Sequence, residues 1–322
     1  MTMNSEQFCE IGQKLFGSNR GWKSSLANAI NVSPATISQI SNGKDPSIKV
    51  QEKLIRLSGE DVNVNSISTE EENKESNNDA FERIQKRYSV MEKMVTNVAL
   101  GNFPSLIISG GSGTGKSFLT QKVLKEQDVK FEIVKGVASG VGMLVPLYTV
   151  SDGGIIVFDD CDSVFSDEDA LNVLKAALDS TSERQISWLK ASSYLKEQEI
   201  PNKFDFNGSV IFITNKDLQQ KSDGNNRFSA HYSALINRSM YLDLTMRTLR
   251  DKCLRIRQIV SEGGFDHYDL GSEQKEEIVT FIEENSNRWR ELSLRLVHHL
   301  AKMVKVDDSW KEMAEVSFMR SM

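Results

Sequence analysis

The chain has 322 residues, of which 39% are hydrophobic and 26% charged, with a net charge of −6. That length suits about two domains at ~150 residues each, and the composition is that of a globular chain in water. The acidic balance excludes a surface coated with nucleic acid over its whole extent, no apolar run approaches the ~20 residues of a spanning helix, and the first residues lack the basic-then-apolar order of a signal peptide. Three separated cysteines and four scattered histidines match no zinc spacing, so the expectation is a reducing cytoplasmic setting without a structural metal. Of the adjacent pair His298 and His299, one is expected to pack against the core of a helix bundle.

In chain order, residues 1–57 carry seven Lys or Arg against four Asp or Glu, and residues 58–80 carry one Lys against seven acids, so the charge changes sign at that boundary. Within the basic segment Leu26, Ala27, Ile30 and Val32, then Ile37 and Ile40, suit two short helices joined by a tight turn at Asn31 and Val32. Flanking helices are expected around residues 8–16 and 48–57. Ser33 is a ready N-cap, Pro34 stands at the first helical position where its missing N–H costs nothing, and Gly43 is placed to end the helix. The run from Leu26 to Gly43 resembles the helix-turn-helix of the Cro/repressor family almost residue by residue. That resemblance implies DNA as a partner, with Ala35, Thr36 and Gln39 toward base edges and Ser33, Ser38 and Lys44 near phosphates. The net +3 of this segment keeps the phosphate contribution modest, and the alternative is a helix-turn-helix that binds protein.

Residues 58–79 are polar, acidic and nearly free of large apolar side chains, so they cannot bury enough surface to order themselves and are expected to be a flexible linker. A helix should follow from about Ala80 to Leu100, with Phe81, Ile84, Tyr88, Met91, Met94, Val95 and Val98 on the face that packs. Next, the strand-like Leu106-Ile107-Ile108 feeds a loop that matches G-x-x-x-x-G-K-[ST] from Gly110 to Ser117. Gly110, Gly111, Gly113 and Gly115 permit a tight wrap around an anion, and the N–H groups running through Ser112 and Thr114 to Phe118 point at the same place as the N-terminus of the helix that follows. Lys116 is expected to reach the β- and γ-phosphates of ATP, and the Ser117 hydroxyl to ligate Mg²⁺.

Further on come a strand at residues 131–135, a loop of small residues from Gly136 to Met143, and the apolar run Ile155-Ile156-Val157-Phe158 ending in Asp159 and Asp160. A continuous apolar run of this length suits a strand buried in a parallel sheet, and ligands bind beyond the carboxyl ends of such strands. Asp159 is therefore placed to hold Mg²⁺ through water, and Asp160 to orient or deprotonate the attacking water. Another buried strand, residues 209–214, ends at Asn215. These segments resemble the AAA+ ATPases over about residues 100–305, with Asp160 standing where the Walker B motif of that family has Glu. The resemblance implies an α/β P-loop fold, a parallel sheet (residues 80–240) with a helical lid (241–322), preceded by a small all-α domain at 1–57. It also implies that Asn215 is sensor 1, that Arg238 is an arginine finger, and that Arg290 is the lid's sensor 2, with Arg288 and Arg295 as alternatives. Ser139, Val141 and Met143 are candidates to face a central pore, and Trp188, Phe204 and Phe206 to pack inward.

What these resemblances imply together is a homo-oligomeric ring or filament that hydrolyses ATP with Mg²⁺. The layout, a helix-turn-helix ahead of an AAA+ module, resembles the Mu-type phage transposition activators, which implies a DNA-directed role in the host cytoplasm with no membrane partner. Two other functions stay open: a remodeller or helicase-loader-like factor acting on a protein client, and an ATP-sensing transcriptional regulator. The intact Lys116, Asp159, Asn215 and Arg238 argue against a sensor that does not turn over.

Overall fold

In the computed structural model, residues 5–17, 21–30, 32–47, 50–51, 53–54, 75–181, 183–224 and 226–320 are described. The chain divides into two units, Met1–Ser76 and Asn77–Met322. Among the described residues no helix is long and apolar enough to cross a membrane.

The first unit holds α1 (Ser5–Phe16), α2 (Trp22–Ala29) and α3 (Pro34–Ser41). Ser33 caps α3 as its sequence suggests, its hydroxyl accepting from the Thr36 N–H at 3.2 Å. Gly43 leaves the helix with φ +98°, a conformation open to a residue without Cβ. Phe8, Trp22, Leu26, Ala27, Ile30, Ile37 and Ile40 form the core of this unit together with Val50 and Leu54. Asn31 of the turn, most of the expected helix at 48–57, and the linker up to residue 74 lie outside the described residues.

The second unit opens with α4 (Asn77–Ala99), which begins three residues before the expected Ala80. Its buried residues Ala80, Ile84, Tyr88, Met91, Val95 and Val98 recur at helical spacing, so one face is apolar. There follow β1 (Ser105–Ser109), α5 (Lys116–Glu126), β2 (Phe131–Lys135), α6 (Gly140–Thr149), β3 (Ile155–Asp159) and α7 (Glu168–Ala177). A small ribbon, β4 (Gln185–Ser187) and β5 (Lys203–Asp205), encloses α8 (Ser193–Glu197). The core then resumes with β6 (Ser209–Thr214), α9 (Leu218–Ser222), α10 (Ser229–Arg238) and β7 (Met240–Asp243).

Five strands make one parallel sheet in the order β2-β3-β6-β1-β7. The period of two along each strand splits the core in two. Leu106, Ile108, Val157, Ile211 and Ile213 face α4 and α5, whereas Ile107, Ile156, Phe158, Val210 and Phe212 face α6, α7 and α10. Because all strands run the same way, their carboxyl ends form one edge, and β6 stands between the strand that leads into the glycine loop and the strand that ends in Asp159. This is an α/β P-loop fold.

A C-terminal helical bundle stands where the lid was expected: α11 (Leu249–Ser261), α12 (Ser272–Glu284), α13 (Leu294–Val304) and α14 (Trp310–Phe318), packed around Ile256, Phe281, Ile282, Trp289 and Leu300. The expected break between core and lid at residue 240 needs correction: β7 pairs with β1 through Asp243, so the lid begins only at α11. The pore candidates are corrected too. Residues 140–143 open α6 rather than a loop, Ser139 caps it, Val141 packs half-buried, and Met143 is fully buried. The exposed apolar side chains near those places are Val137 and Leu189. Phe204 and Phe206 are buried and Trp188 is half-buried, as their inward packing requires.

Candidate functional site

Residues Gly110 to Gly115 join β1 to α5, whose first residues are Lys116 and Ser117, and wrap as the pattern demands, with φ +152° at Gly110, +65° at Gly113 and +95° at Gly115. Gly113 is needed for space as well as for its backbone conformation, since a Cβ there would lie 2.4 Å from the Cβ of Ser293 on the lid. Within the loop the Lys116 ammonium is buried and donates to the carbonyls of Gly110 and Gly111, each at 2.7 Å, and to Asn215 Oδ1 at 3.0 Å. Burial pulls its pKa down to about 8, against the pull of Asp160, Asp159 and Asp162 in the other direction. Thr114 Oγ1 also donates to the Gly111 carbonyl, and Phe118 projects outward.

The sheet order brings the other residues to this loop. Ser117 Oγ donates to Asp159 Oδ1 at 2.6 Å, and the Lys135 ammonium lies 2.9 Å from Asp159 Oδ2. Asn215 Nδ2 donates to Asp160 Oδ1 at 2.6 Å, so one amide side chain bridges Lys116 and Asp160. Beneath it Thr214 Oγ1 donates to Asp162 Oδ1 at 2.6 Å. Asp160 is left-handed, with φ +58°. Asp and Asn tolerate that region best among residues that carry a Cβ, which gives a backbone reason for Asp where the AAA+ pattern has Glu. Hard oxygen donors, a hydroxyl beside a buried carboxylate, fit Mg²⁺ held jointly with nucleotide phosphates. Among the described residues no cluster of three or more His, Cys, Asp or Glu could hold a metal alone.

The lid closes one side of a cleft of about 170 Å³ lined by the loop, Asp160, Asn215, Leu294, Arg295 and His298. That space is below the ~300–1,000 Å³ of ordinary small-molecule sites, a size for phosphates more than for a whole nucleotide. The Leu294 N–H donates to the Gly113 carbonyl at 2.8 Å, and Arg295 Nη1 donates to Ser112 Oγ at 2.8 Å. Arg290 is placed elsewhere, which corrects the expectation for sensor 2: its Nε and Nη1 donate to the carbonyls of Met319 and Ser317, fastening the chain end to the lid. Arg288 lies 3.6 Å from Glu315. Arg295→Ala should therefore weaken nucleotide binding by about 10–10²-fold, the value of one charge-assisted hydrogen bond, while Arg290→Ala should lower the melting temperature and leave affinity nearly unchanged. Calorimetric titration beside a thermal melt checks both.

Two residues at or beside the loop were not assigned to it from the sequence. His298 lines the cleft, its Nδ1 2.9 Å from the Tyr268 hydroxyl, and burial lowers its pKa. Its neighbour His299 stacks on Phe318 instead. Arg255 is buried with its guanidinium 3.4 Å above the Tyr88 ring, and it donates to Gln258 Oε1 at 3.2 Å. Its nearest Nη atom is 3.8 Å from where a Cβ on Gly115 would stand. Nothing in an amphipathic pattern distinguishes such an arginine from a solvated one.

Arg238 ends α10, 44% exposed, 3.5 Å from Asp179, and does not line the cleft of its own chain. In the first unit Ser33, Ala35, Ser38, Gln39 and Lys44 are exposed and Thr36 is half-buried. The Ser33 and Thr36 hydroxyls share a hydrogen bond at 2.8 Å, and Lys44 donates to Gln39 Oε1 at 3.3 Å.

The chain is similar to several known proteins. It is 35% identical over 261 residues to an uncharacterized 36.7 kDa protein from the nrdC-mobD intergenic region of Enterobacteria phage T4, covering 79% of this chain and 80% of that protein. The chain belongs to the family of this phage T4 protein. No family model matches. Among solved structures, the Thermotoga maritima RuvB Holliday junction branch migration motor aligns over 73% of this chain and 68% of its own, at 14% identity and a TM-score of 0.41. A mutant of that RuvB aligns over 73% and 69%, at 14% identity and a TM-score of 0.44.

Proposed function

We propose that this chain is an AAA+-type ATPase that hydrolyses ATP with Mg²⁺, works as a homo-oligomer, and is directed to DNA through its first unit. The observation that carries the ATPase reading is the single sheet edge where Lys116, Ser117, Asp159, Asp160 and Asn215 meet. Phosphate oxygens replace the Gly110 and Gly111 carbonyls as acceptors for the Lys116 ammonium, and the loop N–H groups take the β-phosphate at the N-terminus of α5. Ser117 and Asp159 would hold Mg²⁺ together with the nucleotide, and the ion would supply neutralising charge for the phosphates. Water adds to the γ-phosphorus while Asp160 accepts its proton, the bond from that phosphorus to the β,γ-bridging oxygen breaks, and ADP leaves carrying the bridging oxygen. Asn215, tied to both Asp160 and Lys116, keeps the base and the ammonium in register.

Asp160→Asn keeps the Asn215 contact sterically but removes the base. It should retain ATP affinity and lose turnover by about 10²–10⁴-fold, the usual worth of general-base catalysis. Wild-type turnover in that variant, measured by phosphate release, would move the role to another residue, with Asp162 next in line.

The DNA reading rests on the exposed face of α3, with Ala35 and Gln39 outward behind a formed cap and Lys44 exposed just beyond the helix. ATPase measured with and without duplex DNA, in the full chain and in one lacking residues 1–57, tests the whole proposal. Full-length protein should bind DNA with a salt-dependent affinity that the shortened chain largely loses, while ATPase without DNA persists. Equal DNA affinity in both forms would assign the first unit to a protein partner.

A further inference from the structure

Both oxygens of the Asp159 carboxylate, in a residue only 3% exposed, are occupied by side chains of the same unit: the Ser117 hydroxyl at 2.6 Å and the Lys135 ammonium at 2.9 Å. The lysine is there by register. Lys135 is the last residue of β2 and pairs directly with Asp159, the last of β3. Adjacent strands lie ~4.8 Å apart, so a lysine at that rung reaches its neighbour's carboxylate without strain. Gly136, at φ +91°, then turns the chain away, and the Lys135 side chain keeps 60% of its surface in solvent. A buried carboxylate beside a neutral hydroxyl needs a positive partner. Lys116 attracts Asp159 as well, but its hydrogen bonds go to Gly110, Gly111 and Asn215, and Lys135 is the ammonium paired directly with the carboxylate.

We propose that Lys135 is the standing counter-ion of Asp159, a movable cation at the metal position that sets how much Mg²⁺ the site needs. The proposal rests on the reading of this cleft as an ATP site. Two consequences follow from charge. In the absence of Mg²⁺, Lys135 cancels the negative carboxylate that would otherwise repel a triphosphate, so ATP alone retains measurable affinity. When Mg²⁺ arrives, it must share Asp159 with Lys135 or displace it, and the exposed stem lets the ammonium swing into water at little cost. The metal concentration at which binding tightens is therefore higher than Asp159 and Ser117 alone would require.

The test uses full-length chains carrying Lys135→Met, Lys135→Arg and, as a control, Lys122→Met, whose ammonium sits 3.8 Å from Glu126 on the far surface of α5. Each is titrated with ATP bearing a ribose fluorophore, first in a chelator and then with rising Mg²⁺ at fixed nucleotide. Lys135→Met should bind the metal-free probe about two- to fivefold more weakly, in keeping with a half-exposed pair, and should reach its half-maximal Mg²⁺ response at a correspondingly lower concentration. Lys135→Arg and Lys122→Met should track the wild type. Equal behaviour of Lys135→Met and wild type in both titrations overturns the proposal. So does a loss of affinity that saturating Mg²⁺ does not restore, which would make Lys135 a phosphate ligand. Should the Met variant fail to fold, Lys135→Gln repeats the measurement. A wild-type chain that ignores the probe even with Mg²⁺ sinks the ATP reading itself, an outcome distinct from either.

Discussion

A Lys116→Ala chain should bind ATP about 10²–10⁴-fold more weakly than wild type, because two hydrogen bonds from a charged donor are lost and each contributes about 1.5–3 kcal/mol. Isothermal titration measures the loss, and a melting curve confirms that the sheet is intact. The effect is large because the ammonium is buried and touches three oxygens of the loop and β6 edge, so water does not replace it. The same burial predicts a pH dependence. With its pKa down to about 8 in the ligand-free chain, Lys116 is charged below that value and progressively neutral above it. Phosphate binding favours the charged form, so nucleotide uptake above pH ~8 must also bind a proton, and affinity should fall by up to about tenfold per pH unit there while staying flat below. Lys116→Ala should lack that slope.

Arg238→Ala should be close to inactive for another reason. The guanidinium is outside the cleft of its own chain and half in solvent, held loosely by Asp179. In the homo-oligomer proposed above, a finger in that position would serve a neighbouring subunit, where stabilising charge on the transferred phosphoryl group would be worth about 10³–10⁵ in rate. Mixing Arg238→Ala with Lys116→Ala under exchanging conditions then creates sites with an intact P-loop from one chain and an intact finger from the other. Phosphate release well above the sum of the separate variants is the expected result. No recovery in verified mixed assemblies would leave Arg238 a structural partner of Asp179.

The candidate-site residues whose position was legible in the sequence sit at ends of buried parallel strands. Ile155 to Phe158 and Val210 to Ile213 are apolar without interruption because both sheet faces are covered, so the polar residue that follows each run is at the functional edge. The cap at Ser33-Pro34 was legible for a local reason as well, since its hydrogen bond closes within three residues. Contacts set by distant packing were not. Arg290 and Arg295 are both lid arginines a few residues apart, and the choice between them is made by the bridge between Trp289 and Met319, which turns Arg290 toward the chain end. Lys135 reads as an ordinary solvated strand end until β3 is laid beside β2. Met143 followed a run of small residues that resembles a loop, yet Ser139 caps a helix there and buries it. The strand at 240–243 is too short to show a period, and only its pairing with β1 separates it from the lid.

Gly113 belongs to two substructures at once. Its carbonyl holds the first turn of α13, and its missing side chain makes room for Ser293. A methyl group at that position would act as a wedge against Ser293, at the foot of the helix that bears Arg295 and His298, and would strain the left-handed backbone of the loop as well. Damage at Gly113 would thus register in the loop and in the seating of that helix together. Conversely, any motion of the lid that carries Ser293 outward would slacken the grip on the loop, so the tightness of the phosphate cradle and the posture of the bundle are two readings of one mechanical variable.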